Sequence, residues 1–242
     1  MSGLARGTPI DRLMRPVHQW VWADVDRRLR KLLTFADVET DGGRDILRAA
    51  EVTPDPLLRR LYLEHAIDEL RHGVMFRERG AALFRARPSR GAVLFSGNPL
   101  PGGHGLDDLQ IDGEPDHRLL AFLHVAEKSA AGRFAIYRQL VDDDPATREI
   151  FEQILRDEVF HMNYTYAQLA RIAPQTYRRH VWHARAKRLL VRHDAALRRV
   201  GEELKRVEVL DGDALRQLMT RISEPVQTSG NKQRLFESET SS

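Results

Sequence analysis

The sequence predicts an all-α fold, and three observations support this prediction. Apolar residues recur at the three- and four-residue spacing of amphipathic helices along most of the chain. The breaks between these stretches are rich in Pro, Gly and Asp. No alternation of apolar and polar residues is long enough for a half-buried strand, apart from a few apolar residues inside one Gly- and Pro-rich segment. With 242 residues and 42% hydrophobic side chains, the chain can bury a sizeable core.

Four long helices are predicted first, each ended by a turn signal. They span Val17 to about Val52, Leu57 to Ala86, His117 to Leu140, and Ala146 to Ile172. The sequences TPDP and VDDDP separate the members of each pair, and about thirty residues rich in Gly and Pro lie between the second helix and the third. Gly42 and Gly43 interrupt the first helix, so we expect either a kink or a break there.

The remaining segments complete the predicted organisation. A basic fifth helix is expected from about Gln175 to Val207. Residues 1–16 are expected to be a flexible N-terminal segment, residues 17–208 a helical bundle that includes the fifth helix, and residues 209–242 a short helix followed by a disordered tail.

Composition excludes several functional classes. The sequence has no cysteine, so disulfides, thiolate metal sites and thiol catalysis are all excluded. A net charge of +3 with few aromatic residues indicates no clear nucleic-acid binding. No signal peptide is evident, and no apolar run approaches the roughly 20 residues of a membrane span, so we expect a cytoplasmic protein.

The sequence Asp-Glu-x-x-His occurs twice, in IDELRH and in RDEVFH. Residues three positions apart share a helix face, so Glu69 and His72 point in one direction, as do Glu158 and His161. A single Glu-x-x-His of this kind is usually a solvated charge beside an incidental histidine. The duplication makes chance a weaker explanation.

Each copy of the motif also has a glutamate upstream on the preceding helix. Glu39 lies 30 positions before Glu69, and Glu127 lies 31 positions before Glu158, which makes the arrangement an internal repeat. Antiparallel helices place two residues at equal height when the turn lies midway between them. The midpoint of the first pair is Pro54, and the midpoint of the second falls within DDDP. Both predicted hairpins therefore bring their glutamates to one level.

Four glutamates at one level of a bundle require positive charge nearby. Burying an unpaired carboxylate costs several kcal/mol. Arg71 and Arg156 lie two positions from Glu69 and Glu158, so on a helix they point away from them. Two divalent cations would balance the charge, and carboxylates with imidazoles suit iron or manganese about 3.5 to 4 Å apart. The predicted ligands are Glu39, Glu69, His72, Glu127, Glu158 and His161.

Roles within the predicted site follow from helix geometry. Glu69 and Glu158 suit a bridging position between two metals. Asp68 and Asp157 can reach a histidine on the facing helix and so set which ring nitrogen is free for metal. Further candidates for hydrogen bonding or an additional ligand near the metals are His65, His124, Tyr62 and Tyr164. The alternative is that the six predicted ligands are surface charges on amphipathic helices.

This pattern resembles the ferritin-like di-iron carboxylate superfamily, in which two helices each supply a Glu and two supply Glu-x-x-His. The resemblance covers about residues 17–172. It implies a four-helix bundle with a long crossover between helices 2 and 3, which the Gly- and Pro-rich segment would form. The DExxH form is similar to demethoxyubiquinone hydroxylase, rubrerythrin and aldehyde-deformylating oxygenase, and EKSAAGRF resembles the tRNA-hydroxylase branch. Classical ferritin differs, since its fourth helix usually lacks the second Glu-x-x-His.

Two functions stay open at this stage, both implied by the resemblance. The first is an O2-activating oxygenase or hydroxylase that holds two Fe ions, with Mn or mixed Mn/Fe as alternatives. It would act on an unidentified small-molecule or carrier-bound substrate and would need an electron donor. The second is an iron-handling or peroxide-reducing protein without an organic substrate. A non-redox di-metal hydrolase or a binding module is a third reading.

The predicted fifth helix adds candidate partners. Its basic face can rest on a membrane surface or bind an acidic carrier or RNA, although a solvated face is the commoner outcome. Its apolar stripe suits packing on the bundle or on the partner in a homodimer as well as it suits lipid.

Overall fold

The computed structural model describes residues 9–86 and 113–188, and every regular element within these ranges is a helix. The helices are α1 (Pro9–Leu13), α2 (Arg15–Trp22), α3 (Val25–Val52), α4 (Pro56–Arg85), α5 (Asp116–Leu140), α6 (Pro145–Ile172) and α7 (177–188). The all-α prediction is confirmed for the described residues. The chain divides into two compact units, 1–186 and 187–242, and the fold described below is that of the first.

The predicted first helix is in fact two helices, α2 and α3. The chain turns after Trp22, and the carboxylate of Asp24 accepts a hydrogen bond of 2.9 Å from the main-chain N–H of Arg27. An aspartate in this position satisfies an otherwise unpaired amide and begins a new helix. Arg28 fixes the corner because its Nε donates to the Trp22 carbonyl at 3.0 Å. Residues 9–16, expected to be flexible, are largely helical.

The two hairpin turns share one capping arrangement, an Asp-Pro pair at the start of the second helix. Asp55 Oδ1 accepts from the N–H of Leu57 at 2.9 Å, and Asp144 Oδ1 accepts from the N–H of Thr147 at 3.0 Å. Proline follows each aspartate at the first helical position, where its missing N–H costs nothing. The turns therefore lie where the sequence places them, and the boundaries of α4, α5 and α6 agree with the prediction to within a residue or two.

Gly42 and Gly43 do not break the first long helix, so the expected break is wrong, whereas the expected kink stays a prediction. Helix α3 is continuous from Val25 to Val52. A Cβ atom on Gly43 would lie 2.9 Å from Leu70 Cγ and 3.1 Å from the Ala66 carbonyl oxygen. The glycine is needed for the close approach of α4 to α3, whereas a Cβ on Gly42 would meet nothing within 4 Å.

Helices α3 and α4 run antiparallel along a seam of glycines. Gly43 of α3 faces the middle of α4, while Gly73 faces Ala36 and Thr40, and Gly80 faces Leu33. Residue numbers thus rise along one helix as they fall along the other. The absence of side chains at these positions lets the two main chains approach at the level of Glu39 and Glu69, because Gly43 and Gly73 lie one turn away from them.

Two apolar clusters fill the bundle, one toward each end. The first includes Ile46, Leu58, Leu120 and Leu169, and the second includes Phe35, Phe76, Phe134 and Phe151. On each of α3, α4, α5 and α6, the predicted metal ligands fall between residues of the two clusters. The fold therefore places one polar layer between two apolar ones.

A buried ion pair joins the hairpins at the end nearer to the second cluster. Asp144 caps α6 and also accepts from Arg28 Nη1 of α3 at 3.1 Å and from Arg79 Nη2 of α4 at 2.6 Å. The carboxylate of Asp144 therefore contacts residues of three helices, α3, α4 and α6. This contact restricts sliding of α6 along α3 and α4, and it helps to keep the polar layer in register.

Several predicted segments fall outside the described residues. The segment predicted to form the crossover, residues 87–112 between α4 and α5, is not described, and neither are residues 1–8 nor residues 189–242 with the predicted short helix and tail. The fifth helix is seen as α7, which reaches the end of the second described range. None of the described helices is both long enough and apolar enough to cross a bilayer.

Replacing Gly73 by alanine should destabilise the protein. The new Cβ would clash with Thr40 Oγ1 and lie 3.0 Å from the Ala36 carbonyl oxygen, so α3 and α4 would have to separate. Overpacking of this kind costs about 1 to 3 kcal/mol. Gly42→Ala is the matched control: it adds the same methyl group in open space and should stabilise α3 by up to about 1 kcal/mol. Thermal unfolding of the two metal-free variants measures both effects, and equal stability would contradict the glycine seam.

Candidate metal centre

The structure buries all six predicted ligands in the polar layer. Each is at most 8% exposed, although aspartate, glutamate and histidine side chains are usually at the surface. The six are Glu39, Glu69, His72, Glu127, Glu158 and His161. The alternative that they are surface charges is therefore wrong.

Among the described residues, two groups of buried side chains could hold a metal ion, and they share Glu69. Within each group, the candidate ligand atoms all lie within 4.8 Å of one another. The first group consists of Glu39, Glu69 and His72. The second consists of His65, Glu69, Glu127 and His161. A carboxylate that belongs to both groups occupies the position that a bridging ligand would need.

Glu158 lies outside both groups but close to their charges. Its side chain is 1% exposed, and neither carboxylate oxygen has a hydrogen-bond partner among the described residues. Burial, followed by the charges of Glu127 and Glu69, raises the pKa of Glu158 well above its usual value. Two buried oxygens without a donor are suited to a cation. A bridging role for Glu158, parallel to that of Glu69, stays a prediction.

Aspartates on α4 and α6 hold the motif histidines across the helix interface. Asp157 Oδ2 lies 3.0 Å from His72 Nε2, and Asp68 Oδ2 lies 3.2 Å from His161 Nε2. These are the contacts that the sequence predicts for the two aspartates. Each carboxylate accepts from Nε2–H, which leaves the Nδ1 lone pair of each imidazole free. Both Nδ1 atoms are buried with no hydrogen-bond partner among the described residues, so they are oriented as metal ligands are.

Arg71 joins the two aspartates, a role that sequence reasoning missed. Its Nη2 lies 2.6 Å from Asp68 Oδ1 and 2.9 Å from Asp157 Oδ2. The guanidinium is half-exposed, and its ion pairs within the described residues are with these aspartates and not with the predicted glutamate ligands, in agreement with its expected direction. The contact depends on the facing helix, so no pattern within α4 indicates it.

His65 lies inside the candidate centre rather than at its edge. Its Nε2 is 3.2 Å from Glu69 Oε1 and 3.6 Å from Glu127 Oε1, and its ring stacks on that of His161 with centroids 3.7 Å apart. Its Nδ1 forms a 2.6 Å hydrogen bond with the hydroxyl of Tyr164. Tyr164 therefore contacts the site through His65. The spacing of four between His65 and Glu69 was the available sequence signal.

His124 and Tyr62 lie outside the two ligand groups and bind other partners. The Nδ1 of His124 lies 3.1 Å from the carbonyl oxygen of Met162, which follows His161 in the chain. The hydroxyl of Tyr62 is 3.3 Å from Asp116 Oδ1, at the start of α5. These contacts link helices near the polar layer, and they position α5 against α6 and α4 against α5.

Burial sets the protonation of the centre in the absence of cations. Burial and the charge of Glu69 raise the pKa of Glu39 well above its usual value, and burial raises that of Glu69 to about 8. Burial also lowers the pKa of His65 and of His161 to about 4, so both imidazoles are neutral at pH 7. Neutral imidazoles and closely spaced carboxylates form a donor set for a hard or borderline divalent cation, which would displace the carboxyl protons on binding.

No protein family model, curated protein or solved structure matches this chain. The geometry of the polar layer is therefore the basis for any assignment of function.

Metal-free protein should be less stable at pH 8.5 than at pH 6.5. The pKa of Glu69 rises from 4.5 to about 8 on folding, so the stabilisation that protonation provides is lost as pH increases through about 8. The histidines oppose this trend only at lower pH, because their pKa falls from 6.5 to about 4 on folding. The difference in stability between pH 6.5 and pH 8.5 therefore reports the titration of the carboxylates.

Urea unfolding of chelator-treated protein at the two pH values measures this effect. The Glu69→Gln variant serves as the control and should show a smaller difference, since it removes one of the shifted groups. A wild-type protein with the same stability at both pH values would contradict the clustering of these carboxylates.

Proposed function

We propose that this protein is a ferritin-like di-iron oxidoreductase that activates O2 to oxidise an organic substrate. The observation that carries the proposal is the pair of buried carboxylate and imidazole groups that share Glu69. Their oriented Nδ1 atoms and the unpartnered oxygens of Glu158 leave four buried acceptor atoms for cations. A structural polar layer would instead satisfy such atoms with hydrogen bonds.

The charge of the layer supports two metals rather than one. Four buried glutamates carry up to four negative charges, and two divalent cations balance them. Glu69 Oε1 lies near both His72 Nδ1, at 3.9 Å, and His161 Nδ1, at 3.4 Å, as expected for a carboxylate between two ions. Mixed oxygen and nitrogen donors suit iron, with manganese as the alternative.

The arrangement of helices supports a ferritin-like bundle. Each hairpin, α3 with α4 and α5 with α6, supplies one glutamate from its first helix and Asp-Glu-x-x-His from its second. The superfamily distributes its ligands in this way. The long connection from α4 to α5 has the place expected of the crossover.

The protein's own residues would hold and orient the reacting groups. Asp68 and Asp157 keep His72 and His161 in the tautomer that binds metal, and Arg71 keeps the aspartates in place. The apolar clusters on both sides exclude water from the layer. A bound ferrous pair would supply the two electrons that hydroxylation of a C–H bond by O2 with release of one water requires, and an external donor would then return the oxidised pair to the ferrous state.

Dense aromatic packing beside the layer favours a second candidate, an iron-handling or peroxide-reducing protein. Phe35 packs on Phe76 with ring centroids 5.3 Å apart and on Phe134 with centroids 5.4 Å apart. Phe35 lies one turn before Glu39 and Phe134 two turns after Glu127, so a substrate cavity next to the metals would need space at these two positions. In the structure both are almost fully buried in the second cluster. Small reactants such as O2 or peroxide need less space there than an organic substrate does.

Reconstituted protein should bind two iron or manganese ions per chain. The Glu69→Ala, Glu158→Ala double variant should lose both, because it removes the shared carboxylate and the two unpartnered oxygens. Elemental analysis after desalting measures the content. Glu64→Ala is the control on α4, since Glu64 is half-exposed and pairs with Arg60 instead. Full metal content in the double variant would end the proposal.

Ala131→Leu should separate the two candidate functions. Ala131 is fully buried on α5, one turn after Glu127. A leucine there would fill space beside the metals and leave all six predicted ligands unchanged. If the protein is an oxygenase, its organic substrate should no longer accelerate O2 uptake by the variant, while O2 should still oxidise the bound ferrous iron. If the protein handles iron, the variant should keep nearly the wild-type rate of ferrous oxidation.

Oxygen uptake by ferrous-loaded protein, with and without compounds that accelerate it in the wild type, measures this difference. Ala130→Leu is the matched control at the neighbouring, partly exposed position. Overpacking can cost about 1 to 3 kcal/mol, so thermal unfolding must first show that the variant is folded. If folded Ala131→Leu protein keeps the full substrate-dependent O2 uptake, the space beside Ala131 does not hold an organic substrate, and this support for an oxygenase is lost.

A further inference from the structure

The two candidate ligand groups are unequal. The first offers one imidazole, from His72, and the second offers two, from His161 and His65. Within the described part of the chain, His65 is the one histidine of the two ligand groups that lies outside the repeated motif. It precedes Glu69 by one helical turn, whereas the equivalent position before Glu158 is Ile154. The internal repeat is therefore broken at this residue.

We propose that His65 is a seventh metal ligand, which binds one of the two ions through Nε2 while Tyr164 holds the ring from the other side. The proposal rests on the di-metal function above and deepens it. The two metal positions then differ chemically, with two nitrogen ligands at one and one nitrogen ligand at the other.

The distances around His65 support coordination. Ligand atoms at about 2.0 to 2.2 Å from one ion lie about 2.8 to 3.6 Å from each other at tetrahedral or octahedral angles. His65 Nε2 is 3.2 Å from Glu69 Oε1 and 3.6 Å from Glu127 Oε1. His161 Nδ1 is 3.4 Å from the same Glu69 oxygen. These separations already match those of ligands around one ion.

One contact in the first group is longer than the three contacts given above for the second. His72 Nδ1 lies 3.9 Å from Glu69 Oε1, beyond the range expected around one ion. Cation binding there requires a small movement of one side chain. We therefore expect the second group to bind its ion first and more tightly.

Tyr164 supplies a hydrogen-bond partner for the second ring nitrogen of His65. Its hydroxyl is 2.6 Å from His65 Nδ1 and is buried between α4 and α6. When Nε2 binds metal, Nδ1 carries the proton and donates it to the Tyr164 hydroxyl oxygen. Histidine ligands generally have such a partner for the second ring nitrogen. Tyr164 thus has the relation to His65 that Asp157 has to His72.

A purely structural role for His65 makes a different prediction. The ring would keep its proton on Nε2 and donate it to Glu69, and only His72 and His161 would bind metal. Glutamine at position 65 retains an N–H donor at similar reach, so a structural role should largely survive His65→Gln. A ligand role should not.

Cobalt(II) provides the test, because ring N–H protons of histidines bound to this ion give strongly shifted, solvent-exchangeable proton NMR signals. Calorimetric titration of the full chain with Co²⁺ should show two binding events of different affinity, and the loaded protein should show three such signals. His65→Gln should show two signals and a weakened tighter event. Tyr164→Phe should weaken that event by roughly 10 to 100-fold. His124→Gln is the control and should retain three signals, since His124 bonds to the Met162 carbonyl instead.

The outcomes distinguish this inference from the proposed function. Wild-type protein that binds fewer than two Co²⁺ ions per chain would overturn the di-metal function and, with it, the role of His65. Two bound ions with only two shifted N–H signals would overturn the role of His65 alone. The wild-type signal count decides the matter even where a variant fails to fold.

Discussion

The burial of like-charged carboxylates between two apolar clusters is the constraint on which the rest of this structure depends. Glu39, Glu69, Glu127 and Glu158 lie where water cannot solvate them well, so the folded chain must keep them protonated, pair them or bind cations. Burial shifts the pKa of Glu39, Glu69 and Glu158 upward, which shows the electrostatic cost of the metal-free arrangement. Cation binding would remove that cost, so folding and metal affinity are coupled.

The surrounding helices are built to hold this layer in place. Aspartates cap α4 and α6 at matching turns, and Asp144 also receives Arg28 and Arg79 from two other helices. Gly43 and Gly73 let α3 approach α4 closely on both sides of the layer. A donor set that must keep its geometry against mutual repulsion needs such rigid support.

The polar layer is only approximately symmetric, and the asymmetry would make the two proposed metal positions chemically different. Both hairpins supply a glutamate and an Asp-Glu-x-x-His motif, and both motif histidines are oriented by an aspartate on the facing helix. His65 has no counterpart in the second hairpin. Aromatic packing of Phe35, Phe76 and Phe134 borders the layer on one side, so access for a reactant there depends on how those rings move.

The sequence by itself determined the features that depend on local periodicity. Helix positions, the two Asp-Pro turns and the common level of six acidic and imidazole side chains all follow from spacing along the chain. Tertiary structure decided what depends on how the helices rotate against one another. It brought His65 to Glu127, joined Asp68 to Asp157 through Arg71, and placed Gly43 against α4 as a packing position. Such contacts cross between helices, where the spacing within either helix carries no information about them.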